Sequence, residues 1–203
     1  MATFAQRSLQ ARIDLREAQL AKSLSLSQQA VRHKCFVSYH HDDQGEVDAF
    51  IESFEEVFIP RVVGVSDEDD FIDSTDTDYV MDQIREKYLT DSTVTIALIG
   101  KCTWARRYVD WEVFSTLRND KNNKRSGLLA ITLPSMANDS GRQLPSRVDA
   151  NVNGSAGYAR WWKYPSTLAG LRDNIEEAFQ ARTAKAHLID NTEKRKIYNS
   201  SCS

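Results

Sequence analysis

At 203 residues and 41% hydrophobic content, the chain is long enough for one domain with an extension and apolar enough for an ordinary core. Its net charge of −3 gives no electrostatic case for a nucleic-acid partner. There is no run of eighteen apolar residues and no signal-peptide pattern, so the expected protein is soluble and cytoplasmic, without a membrane partner.

Residues 1–34 differ from the rest. They carry six basic residues (Arg7, Arg12, Arg16, Lys22, Arg32, Lys34) against Asp14 and Glu17, a net +4 that leaves the remainder at −7. Leu9, Ile13, Leu20, Leu24 and Val31 fall within a stripe of about 60° at helical period. This predicts an amphipathic helix that docks on the domain or self-associates, making a homo-oligomer through residues 1–34 an expected assembly.

The next element is a short buried-type strand, Cys35–Tyr39, followed by His-His-Asp-Asp, in which Asp42 or Asp43 can cap a helix burying Val47, Phe50, Ile51, Phe54 and Phe58. Pro60 stops that helix, and Val62, Val63 and Val65 predict a second strand. Ser74 or Thr75 then caps a helix bearing Tyr79, Val80, Ile84, Tyr88 and Leu89. The run Thr93–Ile99 is apolar and β-branched, as a strand buried on both faces requires. Gly100 ends it, and the following helix carries Trp104, Tyr108, Trp111 and Glu112. Val109, Val113 and Leu117 share one face of this helix, with Glu112 at its margin. A fourth strand is expected at Gly127–Leu133, an irregular segment over 134–158, and a fifth strand near Trp161 and Trp162. A last helix spans Pro165 to Ala181, with Leu168, Leu171, Ile175 and Phe179 inward, and a polar tail follows from about residue 189. This alternation predicts an α/β fold with a parallel sheet between helices.

Several chemistries are excluded by pattern. The acidic loop Asp67 to Asp78 has Ile72 where a calcium loop needs glycine. No glycine-rich phosphate loop occurs, and no nucleophilic triad is visible. His40 and His41 lack a partner at metal spacing, so no metal site is expected. Cys35, Cys102 and Cys202 are far apart and read as reduced thiols. A topological argument remains. With strand order 2-1-3-4-5, the switch point lies between the first and third strands, and ligands bind in that crevice at the carboxyl ends of the strands. Ser38, Tyr39, His40 and Asp43 would there meet Cys102, Thr103, Tyr108 and Glu112. Trp104, Tyr108 and Trp111 would surround the carboxylate and offer stacking surface.

The segments F-V-S-Y-H-H-D-D, V-T-I-A-L-I-G and K-C-T-W-A-R-R-Y-V-D-W-E-V resemble the TIR-like family that includes the ThsB subunit of the bacterial Thoeris antiphage system, over roughly residues 35–183. The resemblance implies a flavodoxin-like, three-layer domain at 35–188, between the N-terminal extension 1–34 and the tail 189–203. It implies Glu112 as the catalytic carboxylate acting on NAD, with NAD as substrate and no cofactor. In place of the Ser-x-Trp-Cys-x-x-Glu of TIR enzymes, this chain reads Arg107-Tyr108-Val109-Asp110-Trp111-Glu112. Further implied is an ADP-ribose-derived product, cyclic or conjugated, that activates a separate effector. Two other readings stay open: a non-catalytic TIR-like interaction scaffold, and a nucleoside N-glycosidic transferase.

Overall fold

The computed structural model describes residues 31–62, 91–119, 124–141 and 143–202, together with Arg16, Tyr79 and Leu89. The expected N-terminal helix, the acidic loop, most of the helix at 74–89 and the valines after Val62 lie outside the described residues.

Five parallel strands form one sheet: β1 (His33–Ser38), β2 (Phe58–Val62), β3 (Val94–Ile99), β4 (Gly127–Thr132) and β5 (Arg160–Trp162), in the order β2-β1-β3-β4-β5. The described helices are α1 (Gln44–Phe54), α2 (Arg107–Leu117), α3 (Ser146–Asn151) and α4 (Leu168–Ala184). This is the flavodoxin-like α/β arrangement. Every residue of β3 and β4 is buried, which is why both read as continuous apolar runs. Successive side chains of β3 alternate between faces. Val94, Ile96 and Leu98 join a core with Phe50 and Phe54 of α1 and Leu171 and Ile175 of α4. Ala97 and Ile99 join the opposite core with Val109, Val113 and Leu117 of α2 and Val148 of α3. On β4, a Cβ at Gly127 would strike the backbone of Ala178, so glycine lets α4 approach the strand closely.

Four expectations change. Phe58 belongs to β2 and not to the preceding helix, which ends at Phe54. Pro60 sits inside β2 opposite Cys35, tolerated because β2 is the edge strand and has one open side. Leu168 at the start of α4 is 39% exposed, and Ala178 and Ala181 complete the inward face instead. The irregular segment 134–158 contains α3, a six-residue helix held by its buried Arg147. The C-terminal residues belong to the same compact unit as the domain, which runs from His33 to Ser203.

Those residues form a strap along α2, antiparallel to it. Asp190 and Asn151 exchange two hydrogen bonds, of 2.9 and 2.7 Å. The Asn191 amide donates to the Phe114 carbonyl, the Trp111 indole N–H donates to the Lys196 carbonyl, and the Ser200 N–H donates to the Ala105 carbonyl. At its end Cys202 is disulfide-bonded to Cys102, with Cα atoms 5.7 Å apart. The expectation of three reduced thiols is therefore corrected: only Cys35 is free, and it is buried. A separation of 100 residues hides such a pair from any local pattern.

Candidate functional site

Glu112 lies on the middle turn of α2, facing the carboxyl end of β1. Only 9% of it is exposed, and Ser38 Oγ, from the last residue of β1, donates to its Oε2 at 2.5 Å. Its backbone is fixed from the other side: Thr116 Oγ1 donates to the Glu112 carbonyl at 2.9 Å and lies 2.8 Å from Thr95 Oγ1 of β3. Thr95 and Thr116 were not singled out from the sequence, although the i,i+4 spacing of Glu112 and Thr116 was a usable signal. Burial raises the Glu112 carboxyl from its ordinary 4.5 to about 8, against the opposing effect of the Ser38 hydrogen bond. Burial thus favours the protonated form of this carboxyl.

The segment after β1 supplies the second wall. Tyr39 is half-buried and donates to Gln44 Oε1 at 2.6 Å, and burial makes it a weaker acid than usual, with Glu112 adding a smaller push in the same direction. Asp43 occupies the residue before α1, but its side chain makes no cap bond. It turns instead across the switch point, accepting from Thr103 Oγ1 at 3.4 Å and covering Gly100, where any Cβ would collide with its carboxyl group. Thr103 Oγ1 also accepts the Gly100 N–H at 2.9 Å. Gly100, Thr103 and Asp43 thus tie the loop after β3 to the loop after β1. Burial raises the Asp43 pKa, and the Thr103 hydrogen bond lowers it.

His40 is 4% exposed, and its ring stands edge-on to His41 at 4.3 Å. Its Nε2 is 3.0 Å from Asp42 Oδ2, an ion-pair distance, yet the atom has no hydrogen bond of acceptable geometry. Burial and then Arg106 lower the His40 pKa, with Asp42 opposing. His41 Nε2 lies 2.9 Å from the other oxygen of Asp42. The Nε2 or Nδ1 atoms of His40 and His41 and a carboxylate oxygen of Asp42 fall within 4.8 Å of one another.

Ser38, Tyr39, Asp43, Thr103 and Glu112 therefore gather at the switch point. Cys102 is instead tied into the disulfide. Trp104 belongs to a 3-10 turn, Thr103–Ala105, ahead of α2, and lines a depression of about 400 Å³ with Lys101, Met136, Asp139 and Cys202; Glu112 is not among its lining residues. Tyr108 packs edge-on to Trp111 at 5.3 Å and accepts from Arg107 Nη2, while Trp111 is held by the strap. These recorded contacts place Trp111 and Trp104 toward the strap and the depression, whereas the side chain bonded to Glu112 is Ser38. The sequence also missed a buried network on the strap side of α2. Arg147 Nε donates to Asp110 Oδ1 at 2.9 Å, Arg147 Nη1 to Asn191 Oδ1, Arg147 Nη2 to the Glu193 carbonyl, and the Lys196 N–H to Asp110 Oδ2; Arg147 and Asp110 are each 1% exposed.

A parallel 2-1-3-4-5 sheet with a helix-borne glutamate behind its third strand, facing the β1/β3 switch point, is consistent with a TIR-like domain. The family model for the TIR-like domain of the Thoeris protein ThsB matches residues 36–138, and the chain belongs to that family of antiphage-defence proteins. The match takes in the end of β1, β2 to β4, α1 and α2; α3, β5, α4 and the strap lie beyond it. No curated protein matches the chain. Among the described residues, no helix is long and apolar enough to cross a membrane.

Proposed function

We propose that this domain is a cytoplasmic NAD-consuming enzyme that cleaves the bond between nicotinamide and ribose and passes the ADP-ribosyl group to water, to itself in a cyclisation, or to a small acceptor. The product would act as a signal on a separate effector. One observation carries the reading: the family's glutamate position, Glu112, is buried at the β1/β3 switch point and positioned by Ser38. Cleavage builds oxocarbenium character on the ribose, and a carboxylate beside the sugar stabilises it. Nicotinamide leaves as a neutral amide, so no general acid is needed. The protonated form that burial favours at Glu112 suits a cationic substrate. Nicotinamide in NAD carries a positive charge, and placing that charge against the carboxyl favours its ionised form, so binding and ionisation support each other.

The closed packing around Glu112 also accords with a second reading, a scaffold that uses the TIR-like surface without turnover. Incubation of the purified protein with NAD, with nicotinamide release followed by chromatography, separates the two. Release by the wild type and its loss, by about 10²–10³-fold, in Glu112→Gln is the expected result. Turnover in a folded Glu112→Gln within threefold of wild type overturns the assignment of Glu112.

A further inference from the structure

The strap divides into two halves held in different ways. Residues 190–196 are bolted to α2 and α3 through the buried Arg147–Asp110 pair, Asn151 and Trp111. Past Lys196 the anchoring thins. Ile197 and Tyr198 are 70% and 78% exposed. The recorded bonds of residues 197–200 are those from the Arg107 N–H to Asn199 Oδ1 at 2.9 Å, from Arg107 Nη1 to the Ile197 carbonyl at 3.5 Å, from Lys196 Nζ to Ser200 Oγ at 3.3 Å and from the Ser200 N–H to the Ala105 carbonyl at 2.8 Å. The two Arg107 bonds lie at the exposed first turn of α2, where water can replace them, whereas the Ser200 bond reaches the buried Ala105 of the preceding 3-10 turn. The Cys102–Cys202 bond closes this weakly held half.

That bond is not enclosed in the core. Cys202 lines the depression of about 400 Å³, together with Ser201, Lys101 and Trp104, so this end of the disulfide borders an open depression. Accessible disulfides are the labile and regulatory ones, and in a reducing compartment a persistent disulfide is rare unless it is redox-sensing or catalytic. The bond is also placed to report. Its other end, Cys102, immediately precedes Thr103, which holds the Gly100 N–H and Asp43 at the switch point.

We infer that Cys102–Cys202 is a redox-modification site, whose substrate is a protein or small-molecule dithiol and whose reduction releases residues 197–202 from the first turn of α2. The reductant's thiolate attacks Cys202 Sγ; the Cys102–Cys202 bond breaks, and Cys102 leaves as a thiolate that takes up a proton. The second thiol of the reductant then displaces Cys202, which is likewise protonated, and the reductant ends as an internal disulfide. Two electrons and two protons move from the dithiol to the chain. With the tether open, Asn199 no longer caps Arg107 N–H, and the loop 101–106 loses its covalent tie. The inference rests on the cytoplasmic location proposed above and does not depend on turnover of NAD.

The test uses the full chain, purified without reductant. It is incubated in its folded state with a thioredoxin-type dithiol protein and a regenerating system, quenched in acid, unfolded and labelled with a maleimide mass tag. Cys35, 0% exposed and free, contributes one tag in every state. The expected count rises from one to three within minutes. Hydrogen exchange on the reduced, folded protein should then be roughly ten-fold faster at Arg107 and residues 197–202 and changed by less than about two-fold at 108–117 and 190–196. Cys202→Ser should give the fast pattern without reductant; should that variant not fold, the reduced wild type supplies the same readout. Three tags before any reductant, a count that stays at one until the protein unfolds, or opening without faster exchange at 197–202 would each overturn the inference.

Discussion

Glu112 should set a measurable pH dependence of stability that disappears in Glu112→Gln. A carboxyl whose folded pKa lies above its unfolded one holds its proton more tightly in the fold, so the contribution of Glu112 is fully present below about 4.5 and is lost as pH rises toward about 8. At 1.36 kcal/mol per pH unit, the full interval is worth about 5 kcal/mol, of which about 3–4 kcal/mol falls between pH 5 and pH 8. For a chain of this size, where 1 kcal/mol moves Tm by roughly 2–4 °C, that corresponds to about 6–16 °C. Glutamine keeps the volume and can still accept from Ser38 through its amide oxygen, but it does not titrate. Melting both proteins by differential scanning fluorimetry from pH 5 to pH 8 cancels the contributions of every other group. The wild type should lose stability relative to Glu112→Gln across this window, and the variant should be the more stable of the two at pH 8. Parallel profiles within about 2 °C would refute the burial argument, because they would mean that Glu112 ionises in the folded protein as it does in water.

Three further outcomes follow from the site and its supports. If the anion is the catalytic form, kcat/KM for NAD should rise with pH and level off above about 8, because that ratio reports the free enzyme; a flat profile from pH 6 to pH 9 counts against an unassisted carboxyl. Asp110→Asn leaves Arg147 buried without its counter-charge and should cost about 3–5 kcal/mol, visible as a lower urea midpoint; a cost below about 1 kcal/mol would mean that Asn191, Glu193 and Phe114 alone satisfy the guanidinium. Gly100→Ala drives a methyl group into the Asp43 carboxyl, an overpacking expected to cost about 1–3 kcal/mol and to displace the loop after β1, and unchanged melting with unchanged NAD turnover would show that Asp43 moves aside freely.

The site divides according to how far each residue's role can be read locally. Ser38 and Glu112 could be paired from the sequence because both fall next to the carboxyl ends of strands that a parallel 2-1-3-4-5 sheet brings together, and the structure joins them at 2.5 Å. Asp42 or Asp43 was expected to cap α1, as an acidic residue just before a helix usually does, yet Asp43 makes no cap bond. Its actual partner, Thr103, is 60 residues away, and its position depends on the absence of a side chain at Gly100. Trp111 was expected near Glu112 because the two are adjacent in sequence. Adjacent helical residues point about 100° apart, and the strap carbonyl of Lys196 holds the indole on the other side.

The sequence by itself determined the elements whose signal is periodic or continuous: the apolar runs of β1, β3 and β4, the α2 stripe of Val109, Val113 and Leu117, and the alternation that requires a parallel sheet. Such signals are local, because a strand buried on both faces or a helix packed on one must carry its pattern within its own residues. The tertiary structure alone decided that Phe58 and Pro60 belong to an edge strand, that Cys102 meets Cys202, that Arg147 is neutralised in the core by Asp110, and that burial favours the protonated form of Glu112. Each depends on which distant groups surround a residue and on how much water they exclude, and neither quantity is written in the spacing of neighbouring side chains.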